Sequence, residues 1–277
     1  MFISNTIKTD IVTITPDLAN KLLEQNIGNR KVSKTNYARV LEAMRNGEWE
    51  LNGEAIKIAR NGRILDGQHR LIVAAENDFT FQTLIVYGLP DSTQDTMDTG
   101  KARSANDVLS IHGYPSANNI ASIITGIIRD ERWGLKAAVS TTSGGYAVTP
   151  KQVLARAQED PSLVELMQYA TRLRSKAGLS AKLIGILFYH FSKIDQDDAE
   201  FFFEKLANGE NLERGNPILT LRELLAALKK NQRGTVNQTY IAAVTIKAWN
   251  KFRDGEQITT LRYSPGGAHP EKFPTPK

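Results

Sequence analysis

The sequence predicts an N-terminal domain of the α+β or α/β class, with a mixed sheet and helices, followed by a mainly α-helical domain. Strand-like and helical segments alternate over roughly residues 8–110, which is typical of a sheet covered by helices. From Ser116 onward, apolar residues recur almost wholly at helical spacing. We therefore divide the chain into domains at 1–112 and 113–262, with an extended or flexible tail at 263–277.

Turn and cap residues define the elements of the first domain. Thr15-Pro16 is a typical helix start, with threonine as N-cap and proline in the first position. Asn61-Gly62 between two apolar segments predicts a hairpin turn. In chain order we expect strand 11–15, a helix from Pro16, a helix capped by Ser33, strands 55–59 and 63–65, helix 68–76, strand 81–87 and a helix capped by Ser104.

The second domain is expected to consist of helices around an aromatic core. The polar segment Ser140–Gly145 predicts a loop. Trp249, Phe252 and the phenylalanines within 188–191 and 201–203 fall at helical spacing, which favours core packing over base stacking. The predicted helices are 117–133, 150–158, 161–176, 179–192, 197–207, 219–230 and 236–253.

Composition excludes several classes of protein. The chain has no cysteine, so disulfides, thiolate metal sites and cysteine nucleophiles are excluded. Its four histidines are scattered, which argues against a histidine-built metal site. There is no apolar run of about 18 residues, so no membrane partner is expected. The first ten residues lack the apolar core of a signal peptide, and a cytoplasmic location is therefore expected.

The net charge of +5 is unevenly distributed. Residues 1–110 hold 13 Lys/Arg and 14 Asp/Glu, whereas residues 111–277 hold 22 and 16. A basic helical domain is compatible with binding DNA. Solvated lysines on helix surfaces explain the excess equally well. The turn Lys229-Lys230-Asn231-Gln232-Arg233 is the best local candidate for contacting a DNA backbone, although cations are common at helix ends.

The motif Asp66-Gly67-Gln68-His69-Arg70 is the sharpest local feature, because it connects a strand directly to a helix. Gly67 allows a tight turn and the close approach of a ligand. The first amides of the following helix, with the helix dipole behind them, suit phosphate oxygens. Arg70 and His69 are the expected side-chain donors to that phosphate. The alternative is a simple helix cap with both side chains in solvent.

This arrangement resembles the ParB/sulfiredoxin superfamily, in which a hairpin strand is followed by Gly-x-His-Arg or Gly-x-Arg-Arg at a helix start. Superfamily members include chromosome-partitioning proteins that bind CTP, sulfiredoxins that bind ATP, and a free serine kinase. The segment 66–70 also resembles the motif that names the DGQHR domain of DNA phosphorothioation systems. The segments Asn29-Arg30, Met44 to Trp49, Asn52-Gly53-Glu54 and Ala248-Trp249-Asn250 are similar to ParB-like proteins of phages and actinobacteria.

The resemblance implies a phosphate site at Gly67, His69 and Arg70, which match the family's phosphate-binding positions. Gln68 is the fourth candidate ligand, because the amides that open the helix begin there. Sulfiredoxins have their attacking cysteine where this chain has Gln68, so sulfinic-acid reduction is excluded. The location implied is the cytoplasm of a bacterial or phage-infected cell.

Further site residues follow from their positions beside the motif. Glu54 should emerge at the same end of the hairpin as Asp66, where one carboxylate would serve as general base and the other lie near metal or phosphate. We therefore take Glu54, Asp66 and His69 as the candidate catalytic residues. A solvent-exposed Glu54 in an Asn-Gly-Glu turn is the simpler alternative.

A second segment offers ligands for a metal ion and a triphosphate. Asp98 and Asp66 are the candidate Mg²⁺ ligands, and Lys101 and Arg103 would offset phosphate charge. An ordinary loop before a capped helix fits the same residues. Asn29-Arg30 is a third suggestion that depends on the resemblance alone.

Three functions are compatible with these residues. The first is an enzyme acting on or near DNA that hydrolyses a nucleotide or transfers its phosphoryl group, with Mg²⁺ and ATP or CTP as cofactors. The second is a ParB-like DNA-binding protein in which a CTP-type nucleotide acts as a switch. The third is a ParB-like nuclease, which no dense metal cluster in the sequence supports. The expected partners are a nucleotide and DNA, and a homodimer is left open.

Overall fold

The computed structural model describes residues 2–29, 31–97, 103–140, 145–230, 237–267 and 269–277. The chain divides into two units, Met1–Ala102 and Arg103–Lys277. The boundary between the two units therefore lies earlier in the chain than residue 112, which is the boundary that the sequence suggested. The reason is that Leu109, in the first helix after the boundary, is completely buried in the core of the second unit.

The first unit contains a sheet and three α-helices among its described residues. Its strands are β1 (Lys8–Ile14), β2 (Ala55–Ala59), β3 (Ile64–Asp66) and β4 (Phe81–Leu89). Its helices are α1 (Pro16–Leu23), α2 (Lys34–Arg45), α3 (Gln68–Asn77) and a 3₁₀ helix at Asp91–Thr96.

The described part of the second unit contains no strand. Its helices are α4 (Ala105–Ile111), α5 (Ala117–Trp133), α6 (Leu135–Val139), α7 (Pro150–Glu159), α8 (Ser162–Ala177), α9 (Ala181–Ser192), α10 (Gln196–Asn208), α11 (Pro217–Lys230) and α12 (Gln238–Arg253). Within the described part of the chain, no helix combines the length and apolarity that crossing a lipid bilayer requires.

The prediction of a mixed sheet joined to a helical region is confirmed. The strand order is β1-β4-β2-β3, in which β4 is antiparallel to β1 and parallel to β2. β2 and β3 form the expected antiparallel hairpin, with Lys57 opposite Asp66. Gly62 has φ of 90°, the left-handed conformation that the Asn61-Gly62 turn requires.

The core of the first unit lies on one face of this sheet. Ile56 and Ile58 of β2 point to the same face as Ile85 of β4, and all three are essentially buried. Helix α3 contributes Leu71 and Val73 to the same cluster. Helix α3 follows β3 with a single intervening residue. The burial of α3 therefore fixes the position of the first turn of α3 at the end of the hairpin.

Local capping sets the helix starts as the sequence predicts. The side chains of Thr15 and Ser33 accept hydrogen bonds from Leu18 N and Asn36 N, respectively. Ser104 forms a capping box with Asp107. The short helix α6 was not predicted, since it follows α5 after the single residue Gly134 and has too few residues to show a period.

Aromatic packing holds the second unit together. Trp249 of α12 is fully buried and stacks on Phe191 of α9, with ring centroids 4.3 Å apart. Phe202 and Phe203 of α10 are also fully buried around this pair, whereas Phe201 is 47% exposed. The prediction that these aromatic residues build a core is confirmed for Trp249, Phe191, Phe202 and Phe203, with Phe188 and Phe252 packed against them, and is wrong for Phe201.

The C-terminal segment is extended and attached to α12. Trp249 Nε1 donates to the carbonyl of Lys277, and Asn250 Nδ2 donates to that of Thr275, at 3.0 and 2.9 Å. Tyr263 is buried and packs edge-on against Phe273. The described residues of the tail are therefore extended, as predicted, but not loose.

Helices α5 and α9 pack closely through two glycines. A β-carbon on Gly126 would overlap the side chain of Ile186, and one on Gly185 would lie 2.7 Å from Ile123 Cδ1. Glycine is otherwise unfavourable inside a helix, so its presence here reflects the short distance between the helices.

We expect Gly126→Ala to lower the free energy of unfolding by about 1–3 kcal/mol, because overpacking outweighs the gain in helix propensity. Denaturant unfolding monitored by circular dichroism measures this change. Gly266→Ala is the control, since its β-carbon would meet no atom within 4 Å. Equal stability of the two variants would show that α5 and α9 are not closely packed.

Candidate functional site

The turn from β3 into α3 has a strict requirement for glycine at residue 67. Gly67 has φ of 102° and ψ of 3°, a left-handed conformation, and is the N-cap of α3. A β-carbon there would lie 2.9 Å from Ile56 Cγ1 and 3.3 Å from Ile56 Cα. The backbone of the motif therefore lies directly against β2, and no other residue fits without displacing it.

Asp66 closes the turn from its outer side. Its Oδ1 accepts from the Gly67 amide at 2.7 Å, and its Oδ2 pairs with Lys57 Nζ at 2.9 Å. Both side chains are about a quarter exposed, at 27% for Asp66 and 28% for Lys57. A carboxylate and an ammonium group thus stand together, accessible to solvent, beside the start of α3.

Arg70 is turned inward and is only 9% exposed. Its Nη2 donates to the carbonyl of Ala55 at 2.6 Å, and its Nη1 donates to that of Glu54 at 3.3 Å. Its guanidinium also lies over the ring of Trp49, 5.8 Å from the centroid. These contacts join the first turn of α3 to the start of β2, and they favour a positioning role for Arg70 over direct phosphate binding.

An aromatic cleft lies next to Arg70. It has a volume of about 330 Å³ and is lined by Trp49, Phe79, Phe81, Met44 and neighbouring residues. Trp49 Nε1 donates to the carbonyl of Gln82 at 2.9 Å, and its ring meets Phe81 edge-on. Because β4 runs parallel to β2, this cleft lies at the same end of the sheet as Glu54 and the motif.

His69 connects the motif to the N-terminus of α2. Its Nε2 accepts from the Ser33 amide at 3.0 Å, and the ring is half-buried. A lone pair on Nε2 means that the ring proton is on Nδ1 when the ring is neutral. The imidazole therefore links the first turn of α3 to Ser33, the N-cap of α2.

Gln68 and Asn29 belong to a polar network that the sequence indicated only in part. Asn29 Nδ2 donates to the carbonyl of Ile64 at 2.7 Å, and Asn29 Oδ1 accepts from Gln94 Nε2 at 2.7 Å. Gln68, which is 6% exposed, accepts from Asn26 at 3.4 Å. The network ties the loop before α2 and the 3₁₀ helix to the end of β3.

Glu54 occupies the predicted end of the hairpin. Its side chain is exposed, while its carbonyl accepts from Arg70 and from Thr83 Oγ1. Antiparallel pairing of β2 and β3 puts Glu54 and Asp66 at the same end, as the Asn61-Gly62 turn predicts. Both residues are described, and no hydrogen bond joins their two carboxylates.

The remaining predicted ligands receive less support. Asp98, Lys101 and Arg30 lie outside the described residues, whereas Arg103 is exposed at the start of the second unit. Among the described residues, no group of three or more His, Asp or Glu side chains is arranged to hold a metal ion. Asp66 is therefore the described candidate ligand for Mg²⁺, and Asp98 stays a prediction.

The second unit has a separate cleft of about 370 Å³ between α8, α9 and α10. Tyr169, Phe188 and Tyr189 line it together with Glu165 and Glu200. Burial raises the pKa of Tyr169 well above its usual value, so its hydroxyl stays protonated. Lys229 and Lys230, predicted to contact DNA, are exposed at the end of α11, and residues 231–233 of that basic segment lie outside the described residues.

Comparison with protein-family models, curated proteins and solved structures found no significant match to this chain. The resemblance to the ParB/sulfiredoxin superfamily therefore depends on the residues quoted above.

Sequence reasoning missed the residues that support the motif from a distance. Lys57 and Ser33 contact the motif across 9 and 36 positions of the chain, and Gln94 donates to the carbonyl of Leu65, the residue before the motif, across 29 positions. One signal for Lys57 was available in the sequence. The alternation in β2 places Lys57 on the face opposite Ile56 and Ile58.

We expect Gly67→Ala to destabilise the first unit by about 2 kcal/mol or more, because backbone strain adds to the overlap with Ile56. Gly53→Ala is the matched control, since Gly53 also has a positive φ (83°) but its β-carbon would meet nothing. Thermal unfolding of both variants separates strain from overlap. Equal losses would show that the contact with β2 is unimportant.

Proposed function

We propose that the first unit binds the phosphates of a nucleotide at the start of α3 and acts on them with Mg²⁺, by hydrolysis or phosphoryl transfer. One observation carries this proposal: Gly67 is held against β2 so that the motif backbone, the Lys57–Asp66 pair and the Glu54 carboxylate share one end of the hairpin. Phosphoryl transfer needs chiefly positioning and charge neutralisation, which this set of groups can supply.

The roles within the proposed site follow from the contacts. Lys57 Nζ supplies positive charge to the phosphates, and Asp66 holds Mg²⁺. Arg70 keeps the start of β2 against the first turn of α3, which fixes Glu54 relative to the motif. Glu54 is exposed, and its carboxylate makes no hydrogen bond with Asp66. It is therefore available as the general base.

The aromatic cleft at Trp49 gives the nucleotide base a place beside the phosphate site. Arg70 contacts both the Trp49 ring and the β2 carbonyls, so the cleft and the motif are separated by a single side chain. Aromatic side chains can stack on any nucleotide base, because every base has a π-face. We propose that the base rests in this cleft.

Lys57→Met should weaken the binding of ATP or CTP about tenfold or more, because a charge-assisted contact to phosphate is lost. Isothermal titration in the presence of Mg²⁺ measures this, with Lys8→Met on β1 as the matched control. Lys8 is an exposed lysine of the same sheet. Unaltered affinity in Lys57→Met, or no nucleotide binding by the wild-type chain, would refute the proposed site.

Glu54→Gln should leave nucleotide affinity unchanged and reduce turnover by about 10²-fold or more, since the general base is removed. The measurement is release of nucleoside diphosphate, with and without DNA. Glu24→Gln, an exposed glutamate at the end of α1, is the control. Full activity of Glu54→Gln would remove this residue from the mechanism.

A second candidate function is a nucleotide-dependent switch that controls DNA binding. The excess of positive charge in residues 111–277 favours it, since the balance there is 22 cationic against 16 anionic side chains. In the turnover assay, DNA retention that responds to CTP without diphosphate release would support the switch instead of the enzyme.

A further inference from the structure

Strand β1 forms a long open edge of the sheet in the first unit. Within the part of the chain that the structure describes, β1 has a neighbouring strand on one side only. It is seven residues long, contains no proline, and pairs with β4 in unbroken register from Lys8 to Ile14. The other edge strand, β3, has only three residues. Long regular edges present unpaired backbone groups to another strand, so β1 is the edge that can accept one.

The side chains along β1 are largely exposed. Ile11 is 63% exposed and lies on the face of the sheet opposite to the buried Ile14. Ile7, directly before the strand, is 60% exposed and by alternation falls on the same face as Ile11. Lys8 and Asp10 are exposed on the face of Ile14. The edge therefore carries two isoleucines on one face and two opposite charges on the other.

We propose that β1 pairs antiparallel with β1 of a second copy of this chain, in a register centred on Thr9. In this register Lys8 lies opposite Asp10 of the partner subunit, and the two-fold symmetry repeats the pair on the other side of Thr9. Ile7 lies opposite Ile11 of the partner subunit, which is also repeated. Four exposed isoleucines thus meet on one face of a continuous eight-stranded sheet, and two ion pairs form on the other.

The neighbouring registers lack this complementarity. In a two-fold pair of strands, opposite residues belong to the same face of the sheet, so the pair is centred on a residue. A pair centred on Lys8 or on Asp10 would put that residue opposite its own copy, and like charges directly opposite each other are destabilising. A pair centred on Ile11 would put both charges opposite apolar residues of the same face. The charges of β1 therefore select the register centred on Thr9.

The proposed interface is separate from the proposed nucleotide site. Strand β4 lies between β1 and β2, which carries Lys57. Two strand edges of this length bury less surface than a permanent dimer does, so we expect a weak, reversible dimer.

The absence of cysteine from the chain allows a direct test of the register. Thr9→Cys puts two thiols on the two-fold axis, where opposite Cα atoms are about 4.5–5.5 Å apart, within the span of a disulfide. With copper phenanthroline as oxidant, the full-length Thr9→Cys variant should form a covalent dimer on a non-reducing gel. Thr13→Cys, at an exposed threonine of the same strand, is the matched control and should stay largely monomeric. Equal cross-linking of the two variants, or none in Thr9→Cys, would overturn the proposal.

A second measurement tests the ion pairs by sedimentation velocity of the full-length chain over a series of concentrations. Lys8→Glu and Asp10→Lys should each raise the dimer Kd about tenfold or more, because each puts like charges opposite each other twice. An equimolar mixture of the two variants should restore the dimer, since the introduced charges are complementary. Lys21→Glu, at an exposed lysine of α1, is the control and should dimerise as the wild type does.

Three outcomes of the sedimentation experiment contradict the proposal, whatever the first unit binds. They are a wild-type chain that stays monomeric, charge variants that dimerise as the wild type does, and a mixture of folded variants that does not associate. Circular dichroism establishes that each variant is folded. If a charge variant fails to fold, the cross-linking of Thr9→Cys decides the matter.

Discussion

The contact between the Arg70 guanidinium and the carbonyl of Ala55 is the interaction on which the first unit depends. A buried guanidinium is costly unless its donors are satisfied, and here the carbonyls of Glu54 and Ala55 satisfy two of them. The contact ties the first turn of α3 to the start of β2. It thereby sets the positions of Glu54, Gly67 and Trp49 relative to one another.

This dependence alters the role of the motif's most conspicuous cation. A first-turn arginine beside an expected phosphate suggests a ligand, but Arg70 supports the surrounding backbone. Lys57, which is about a quarter exposed and paired with Asp66, is the better candidate for a direct phosphate contact. A phosphate that attracted Lys57 would also release Asp66 to bind a cation. Lys57 therefore suits the phosphates of a Mg²⁺–nucleotide complex, and Asp66 suits its metal ion.

The two units handle charge differently. In the first unit the cations nearest the motif have partners among the described residues, including the Lys57–Asp66 and Arg63–Asp91 pairs. In the second unit Arg129 has no carboxylate partner among the described residues, although two acidic residues follow it directly on α5. Those carboxylates instead contact His190 and Arg156, which lie on other helices, so neighbours in the sequence do not predict these ion pairs.

The sequence by itself determined the features that depend on neighbouring residues: the caps at Thr15, Ser33 and Ser104, the hairpin turn at Asn61-Gly62, and the helical periods of the second unit. Each arises from interactions within a few positions, so local patterns suffice. Only the tertiary structure decided the insertion of β4 between β1 and β2, the inward direction of Arg70 and the link from His69 to Ser33. These contacts join residues 15 or more positions apart, and their geometry follows from how the sheet and helices pack.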